Sequence, residues 1–136
     1  MEVKMEKKLE KLILEFRIYK INIEGRSDSS INNYIDTIKS FFDDMKITTY
    51  EQLINVSSQN VRDWLSLLVE KGNVETSRNK KLSIIKQLFL FLEVEKEENI
   101  DTRIRNIKFA KVHHKESKYI TEELAYSIIK ALKIKH

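Results

Sequence analysis

The chain has 136 residues, with 25 Lys and Arg against 21 Asp and Glu, so its formal net charge is +4. It contains no cysteine, which excludes disulfides, thiolate metal sites and cysteine nucleophiles, and no apolar run approaches the roughly 20 residues that span a bilayer. Since 41% of the residues are hydrophobic and 34% are charged, we expect one soluble globular domain in the cytoplasm, with no membrane partner.

The sequence favours helices from its first residues. It has no proline and two glycines, which leaves few chain breakers and argues against the many tight turns of an all-β domain. Apolar residues recur at steps of three and four up to Ile23, which predicts a first helix that Gly25 ends. Ser27 is placed to cap a second helix, which has a broad apolar stripe over residues 31–45. We therefore expect an all-α protein.

Capping signals mark the next helices. Thr49 and Gln52 have capping-box spacing, which predicts a short helical turn. Ser57 or Ser58 can start a third long helix, for which Gly72 suits the C-terminal cap. These elements continue the bundle.

The fourth long helix has the clearest apolar side. It starts at Thr76 or Ser77 and is expected to run to about Glu95. Four long helices thus predict a compact bundle over residues 1–100. Carboxylates crowd its last helix end from Glu93 to Asp101, and we interpret them as a solvated terminus.

The composition changes after the bundle. Residues 103–118 are basic and weakly patterned, which predicts an extended linker within residues 101–120. Thr121, followed by two glutamates, opens a C-terminal helix over residues 121–136, because acids in a first turn meet the positive end of the helix dipole. The histidines at 113, 114 and 136 make a poor metal site, and we expect no metal and no cofactor.

Positive charge is concentrated in two segments. Residues 76–87 hold four Lys or Arg and no acid, and residues 103–118 hold six Lys or Arg against one Glu. On a helical wheel, the fourth helix has a sector without carboxylates, opposite its apolar side. Its members are Thr76, Asn79, Lys80, Ser83, Lys86 and Gln87. Amide, hydroxyl and ammonium groups bond base edges and phosphates, so this sector predicts nucleic-acid binding.

The second helix has a weaker polar side that includes Asn33 and Thr37. A helix N-terminus with small hydroxyls can hold a phosphate, although plain capping is the alternative role of Ser27. The predicted DNA-contacting residues are Arg26, Ser27, Ser30, Asn33, Thr37, Thr76, Ser77, Arg78, Asn79, Lys80, Ser83, Lys86, Gln87, Lys108 and Lys111.

Three segments also carry a family resemblance. They are Ser27, Ser30 and Tyr34 with the pair Phe41-Phe42; Thr76-Ser77-Arg78 with Leu82-Ser83 and residues 88–92; and Lys111 with Tyr119-Ile120-Thr121-Glu122-Glu123. In order and spacing they resemble the core-binding, SAM-like N-terminal domain of tyrosine recombinases, which include phage integrases.

The resemblance implies a helical domain that clamps one side of a recombination half-site in duplex DNA, with the second and fourth helices facing the major groove. It further implies a bacterial or phage-encoded protein associated with the nucleoid, with other recombinase protomers as possible partners and no small-molecule substrate. Residues 121–136 would be the first helix of a catalytic domain. No residue here matches that domain's catalytic set, so we do not expect this chain to be an enzyme.

Two other readings stay open. The chain can be a recombinase-derived DNA-binding regulator or truncated antagonist that takes no part in strand exchange. It can also be a helical protein-interaction domain that binds no nucleic acid, although the absence of acids between Thr76 and Glu93 counts against this.

Overall fold

The computed structural model describes residues 4–112. Every regular element in this range is helical, which confirms the all-α class. The helices are α1 (Lys7–Ile18), α2 (Asp28–Met45), α3 (Tyr50–Ile54), α4 (Ser58–Glu70) and α5 (Glu75–Val94). A π-helical turn (Tyr19–Ile23) continues α1, and a 3₁₀ turn (Thr102–Asn106) follows α5. The predicted C-terminal helix and the three histidines lie outside the described residues.

The predicted capping residues begin three of the helices. The Ser27 hydroxyl accepts from the backbone N–H of Ser30 at 3.2 Å and starts α2. Thr49 and Gln52 form a capping box at α3, and Ser57 forms another with Asn60 at α4. These bonds satisfy backbone N–H groups that have no partner inside the helix, so the local sequence determines where each helix starts.

The fifth helix begins differently from the prediction. It starts at Glu75, and Val74 at its N-cap makes no side-chain cap. The turn before it is held by Asn73, whose side-chain oxygen accepts from Lys81 at 2.6 Å. Gly72 precedes this turn with φ +89°, a conformation that residues with a Cβ rarely adopt. The helix therefore begins one residue before the predicted Thr76, without a side-chain cap, and Lys81 within it bonds the turn that precedes it.

The core is aromatic at its centre. Trp64 of α4 is fully buried and packs edge-on against Phe41 of α2, with ring centroids 4.9 Å apart. Phe41 also meets Phe89 of α5 at 6.5 Å. The Trp64 Nε1–H donates to Asp44 at 3.0 Å, so its polar atom is satisfied. These buried rings join α2, α4 and α5 at the centre of the core.

The core also extends past the predicted bundle end. Ile100, Ile104 and Ile107 are buried, and the 3₁₀ turn packs against α4 and α5. The extended path expected from residue 103 is therefore wrong for residues 103–106. The three isoleucines have helical spacing, and this apolar pattern competes with the basic residues between them.

The acidic segment at the end of α5 is not simply solvated. Asp101 accepts from the backbone N–H of Ser58 at 2.8 Å. Glu98 accepts from the hydroxyl of buried Tyr50, and Glu93 pairs with Arg105 at 2.9 Å. Three of these carboxylates therefore fasten the chain after α5 to the bundle, and the interpretation as a solvated terminus is wrong for them.

Candidate nucleic-acid interface

The polar sector predicted on the fourth long helix lies on the outward side of α5, and we call it the outer face of α5. Its members are Thr76, Asn79, Lys80, Ser83, Lys86 and Gln87. None of them is buried, whereas Leu82, Ile85 and Leu88 on the other side are in the core. Residues 76–92 contain no Asp or Glu, and the carboxylates of α5, Glu75 and Glu93, lie near its two ends.

Residues 107–111 lie along one edge of the outer face, and we call them the strap. The side chain of Asn79 donates to the Ala110 carbonyl oxygen at 2.9 Å and accepts from the Ala110 N–H at 2.8 Å. The Lys86 ammonium donates to the carbonyl oxygen of Ile107 and lies 4.3 Å from the ring centroid of Phe109. Both side chains are thus engaged within the chain, which the sequence did not predict.

The burial of Lys86 under the strap changes its pKa. Burial lowers its pKa from the ordinary lysine value, because the ammonium form is poorly solvated there. A cation held over an aromatic ring and bonded to a carbonyl is compensated for part of its lost hydration. Lys86 therefore acts as an anchor for the strap on the outer face, with its ammonium engaged by Ile107 and Phe109.

The other edge of the outer face meets the π-helical turn and α2. The side-chain oxygen of Gln87 accepts from the Lys20 ammonium at 2.7 Å. The Gln87 nitrogen faces the Ser83 hydroxyl at 3.3 Å and the Tyr34 hydroxyl at 3.5 Å. Since Tyr34 belongs to α2, these bonds bring the polar side of α2 next to the outer face of α5.

Two residues of the outer face remain directed to solvent. Thr76 and Lys80 are exposed, and within residues 4–112 neither makes a side-chain hydrogen bond or an ion pair. They lie one helical turn apart, so they share one side of α5. An exposed ammonium without a carboxylate partner is available to a phosphate group.

Ser77 and Arg78 form hydrogen bonds within the turn before α5. The Arg78 guanidinium donates to the Asn73 carbonyl oxygen at 2.7 Å, and the Ser77 hydroxyl contacts the Asn73 side chain at 3.3 Å. Arg78 also borders a shallow cavity of about 190 Å³ between α4 and α5, with Lys108 on the same rim. Ser77 and Arg78, both predicted to contact DNA, are half-buried, and their polar groups bond Asn73 in the turn.

The predicted residues at the start of α2 form a second group. Ser27 caps the helix and Ser30 supplies the capped N–H, so the alternative capping role of Ser27 is the one observed. Arg26 pairs with Glu24 at 3.5 Å, and its guanidinium lies 5.6 Å from the Tyr34 ring centroid.

Further along α2, Asn33 is exposed and Thr37 is half-buried. Neither makes a side-chain hydrogen bond within residues 4–112, so both polar groups are open to an outside partner.

The strap adds charge of its own. Lys108 and Lys111 are exposed, and residues 107–111 contain no acid. Because Asn79 and Lys86 hold the strap on α5, these two lysines stay close to the outer face. Positive charge from two distant parts of the sequence is thus combined on one side of the molecule.

In the part of the chain that the structure describes, no group of three or more His, Asp or Glu residues is arranged to bind a metal ion. None of the helices there has both the length and the apolar character needed to cross a membrane.

Comparison with known proteins identifies the domain. The model of the family described as phage integrase, N-terminal SAM-like domain, matches residues 13–96, more than half of the chain. The chain belongs to this family. Searches of curated proteins and of solved structures gave no match.

The match to the phage integrase N-terminal SAM-like family confirms the resemblance to the core-binding domain of tyrosine recombinases. It begins within α1 and ends two residues past α5, so it covers the outer face and the start of α2. The strap lies beyond the matched residues. Only the N-terminal domain of an integrase is matched.

One residue of this arrangement was missed from the sequence altogether. Lys20 is 4% exposed, and it bonds both Glu24 and Gln87. A signal exists, because Lys20 follows Phe16 by four residues and so continues the buried stripe of α1. A lysine on an apolar stripe usually extends to solvent, and its partner on α5 is 67 residues away in sequence.

Proposed function

We propose that this chain binds double-stranded DNA as the core-binding domain of a tyrosine recombinase or integrase, in DNA integration or site-specific recombination. The observation that carries the proposal is the outer face of α5: Thr76 and Lys80 are exposed, none of the six residues of the face is a carboxylate, and Lys108 and Lys111 are exposed on the strap along one edge. Lysines that neutralise DNA phosphates release condensed counterions, which drives binding. Family membership supplies the reaction class.

The dimensions of α5 suit this role. A helix of 20 residues is about 30 Å long, and the major groove of DNA is about 12 Å wide and admits an α-helix. With α5 in the groove, the exposed Thr76 and Lys80 face the DNA. The start of α2 then lies beside the same duplex, because Gln87 and Tyr34 join the two helices.

In this proposal the chain binds DNA and leaves strand cleavage to a separate catalytic domain. Tyr50 does not resemble an activated nucleophile. Burial and the hydrogen bond to Glu98 raise the pKa of Tyr50, which favours the neutral phenol over the reactive phenolate. The partner that we propose is duplex DNA at the nucleoid in the cytoplasm, and the family suggests other recombinase protomers as further partners.

The test is fluorescence anisotropy with a labelled random duplex of about 30 base pairs, titrated with the chain at low and at higher salt. The proposal expects binding at low salt that weakens steeply as salt rises, because each neutralised phosphate contributes about 0.9 to the slope of log affinity against log salt. No binding at low salt would contradict it and favour a helical protein-interaction domain.

A further inference from the structure

Lys20 is a buried cation in contact with the proposed DNA-binding face. It lies on the π-helical turn, 4% exposed, and its ammonium donates to Glu24 at 2.9 Å and to Gln87 at 2.7 Å. The ammonium also lies 5.4 Å from the ring centroid of Phe16. Burying an ammonium costs free energy unless such partners replace its water. Glu24, Gln87 and Phe16 are therefore the groups that compensate the burial of Lys20.

The chemistry of lysine determines which way the Gln87 amide points. An ammonium has three donors and no acceptor, so it can bond only the carbonyl oxygen of Gln87. The amide nitrogen must then face the hydroxyls of Ser83 and Tyr34, at 3.3 Å and 3.5 Å. The two ends of a glutamine amide are similar in shape, and here Lys20 distinguishes them.

The π-helical turn places Lys20 within this network. The backbone N–H of Glu24 bonds the carbonyl oxygen of Tyr19, five residues earlier, and the N–H of Arg26 bonds that of Lys20. Burial raises the pKa of Glu24, but its bonds and charge interactions with Lys20 and Arg26 outweigh this, and the pKa lies below its usual value. Glu24 therefore stays ionised at neutral pH and pairs with the Lys20 ammonium at 2.9 Å.

We propose that Lys20 is a positioning residue that fixes the Gln87 amide on the outer face of α5, so that Gln87 contributes to base preference. This inference rests on the proposed DNA-binding function. The oxygen of Gln87 has a second acceptor site besides the one that Lys20 occupies. In the major groove that site can accept from the exocyclic amino group of adenine or cytosine. Without Lys20 the amide turns over and offers a donor there, and the preference is lost.

A double-mutant cycle tests the coupling. A duplex is first selected from a random pool with the wild-type chain, and its affinity is divided by that of random duplex to give a preference ratio. Lys20→Met is expected to lower this ratio by about threefold to tenfold, the effect of one neutral hydrogen bond. In the Gln87→Ala background, Lys20→Met is expected to leave the ratio unchanged.

The outcomes separate the two proposals. If Lys20→Met weakens selected and random duplex equally, or if the two substitutions are additive, the Lys20 inference is wrong while DNA binding stands. If the wild-type chain binds no DNA, both proposals fail. Thermal unfolding of each variant shows whether it is folded.

A measurement on the wild-type chain covers the case in which Lys20→Met does not fold. Nuclear Overhauser contacts between the Gln87 side-chain amide protons and the Tyr34 ring are expected in the free chain, and they should persist when the selected duplex is bound. Loss of these contacts in either state would contradict a fixed amide.

Discussion

Asn79 and Ala110 form a reciprocal pair of hydrogen bonds: the Asn79 amide donates to the Ala110 carbonyl oxygen at 2.9 Å and accepts from the Ala110 N–H at 2.8 Å. An asparagine side chain thus pairs with backbone as a neighbouring strand would. The pair fastens the strap along α5 and determines where Lys108 and Lys111 lie relative to Lys80.

Asn79→Ala is expected to release the strap. It removes both bonds to Ala110 and leaves half-buried backbone groups unpaired, which should lower the free energy of unfolding by about 1–2 kcal/mol. Urea unfolding measures the loss, and hydrogen exchange at the Ala110 amide should become faster. Thr76→Ala, on the same face without a side-chain bond in the described residues, is the control. Equal effects from the two substitutions would contradict the anchoring role of Asn79.

Leu88→Ala and Leu90→Ala test which side of α5 faces out. Leu88 is 0% exposed and Leu90 is 51% exposed, although they are neighbours on one helix. The cavity left at Leu88 should cost about 2–5 kcal/mol of unfolding free energy, whereas the change at Leu90 should stay within about 0.5 kcal/mol. Denaturant unfolding of both variants gives the comparison. A large loss at Leu90 with a small one at Leu88 would reverse the assignment of the outer face.

Asp101→Asn tests the attachment of the chain after α5. Asp101 accepts from Arg103 at 2.9 Å and from the Ser58 N–H at 2.8 Å in the first turn of α4. Removing its charge should lower the free energy of unfolding by about 1–2 kcal/mol at neutral pH. Asp36→Asn, at an exposed residue of α2, is the control and should change little. A loss as large at Asp36 would show that the effect is not specific to this attachment.

The same carboxyl predicts a pH dependence. The hydrogen bond with Arg103 and the Ser58 N–H hold the pKa of Asp101 well below its usual range, despite the opposing effect of burial. A pKa lowered by folding gives stability that is present above the unfolded value, about 4, and is lost as pH falls toward the folded value. Urea unfolding from pH 7 downward should therefore show a steeper acid loss in the wild type than in Asp101→Asn. Identical profiles would argue against this contribution.

Lys80→Glu tests the charge on the outer face. Lys80 is exposed and has no carboxylate partner within residues 4–112, so its reversal should leave stability nearly unchanged. DNA affinity should fall about tenfold or more, and the salt slope should decrease by about 1. Lys39→Glu makes the same charge change beside the groove between α1 and α2 and should retain most binding. If both variants lose affinity equally, only net charge matters.

The helices and their caps could be predicted because their signals are local. Ser27, Thr49 and Ser57 each bond an N–H three residues away, and a single sequence contains that relationship. The polar sector of α5 was also predictable, since helical periodicity alone places exposed Lys80 and buried Phe89 on opposite sides.

The strap and the Lys20 bond could not be predicted in the same way. Asn79 and Ala110 are 31 residues apart, and Lys20 and Gln87 are 67 residues apart. Such pairs depend on how the helices pack. The sequence does not distinguish an asparagine or a lysine that faces solvent from one that bonds a backbone carbonyl. The isoleucines at 100, 104 and 107 did carry a helical pattern, so the packing of the chain between α5 and the strap was open to prediction.

The most direct test of the account is the change in backbone amide resonances when duplex DNA is added to the labelled chain. If α5 and the strap form the interface, the largest shifts should fall on residues 76–87 and 107–111, with smaller ones at the start of α2. Shifts concentrated on α1 or α3, with the outer face of α5 unchanged, would contradict the central claim.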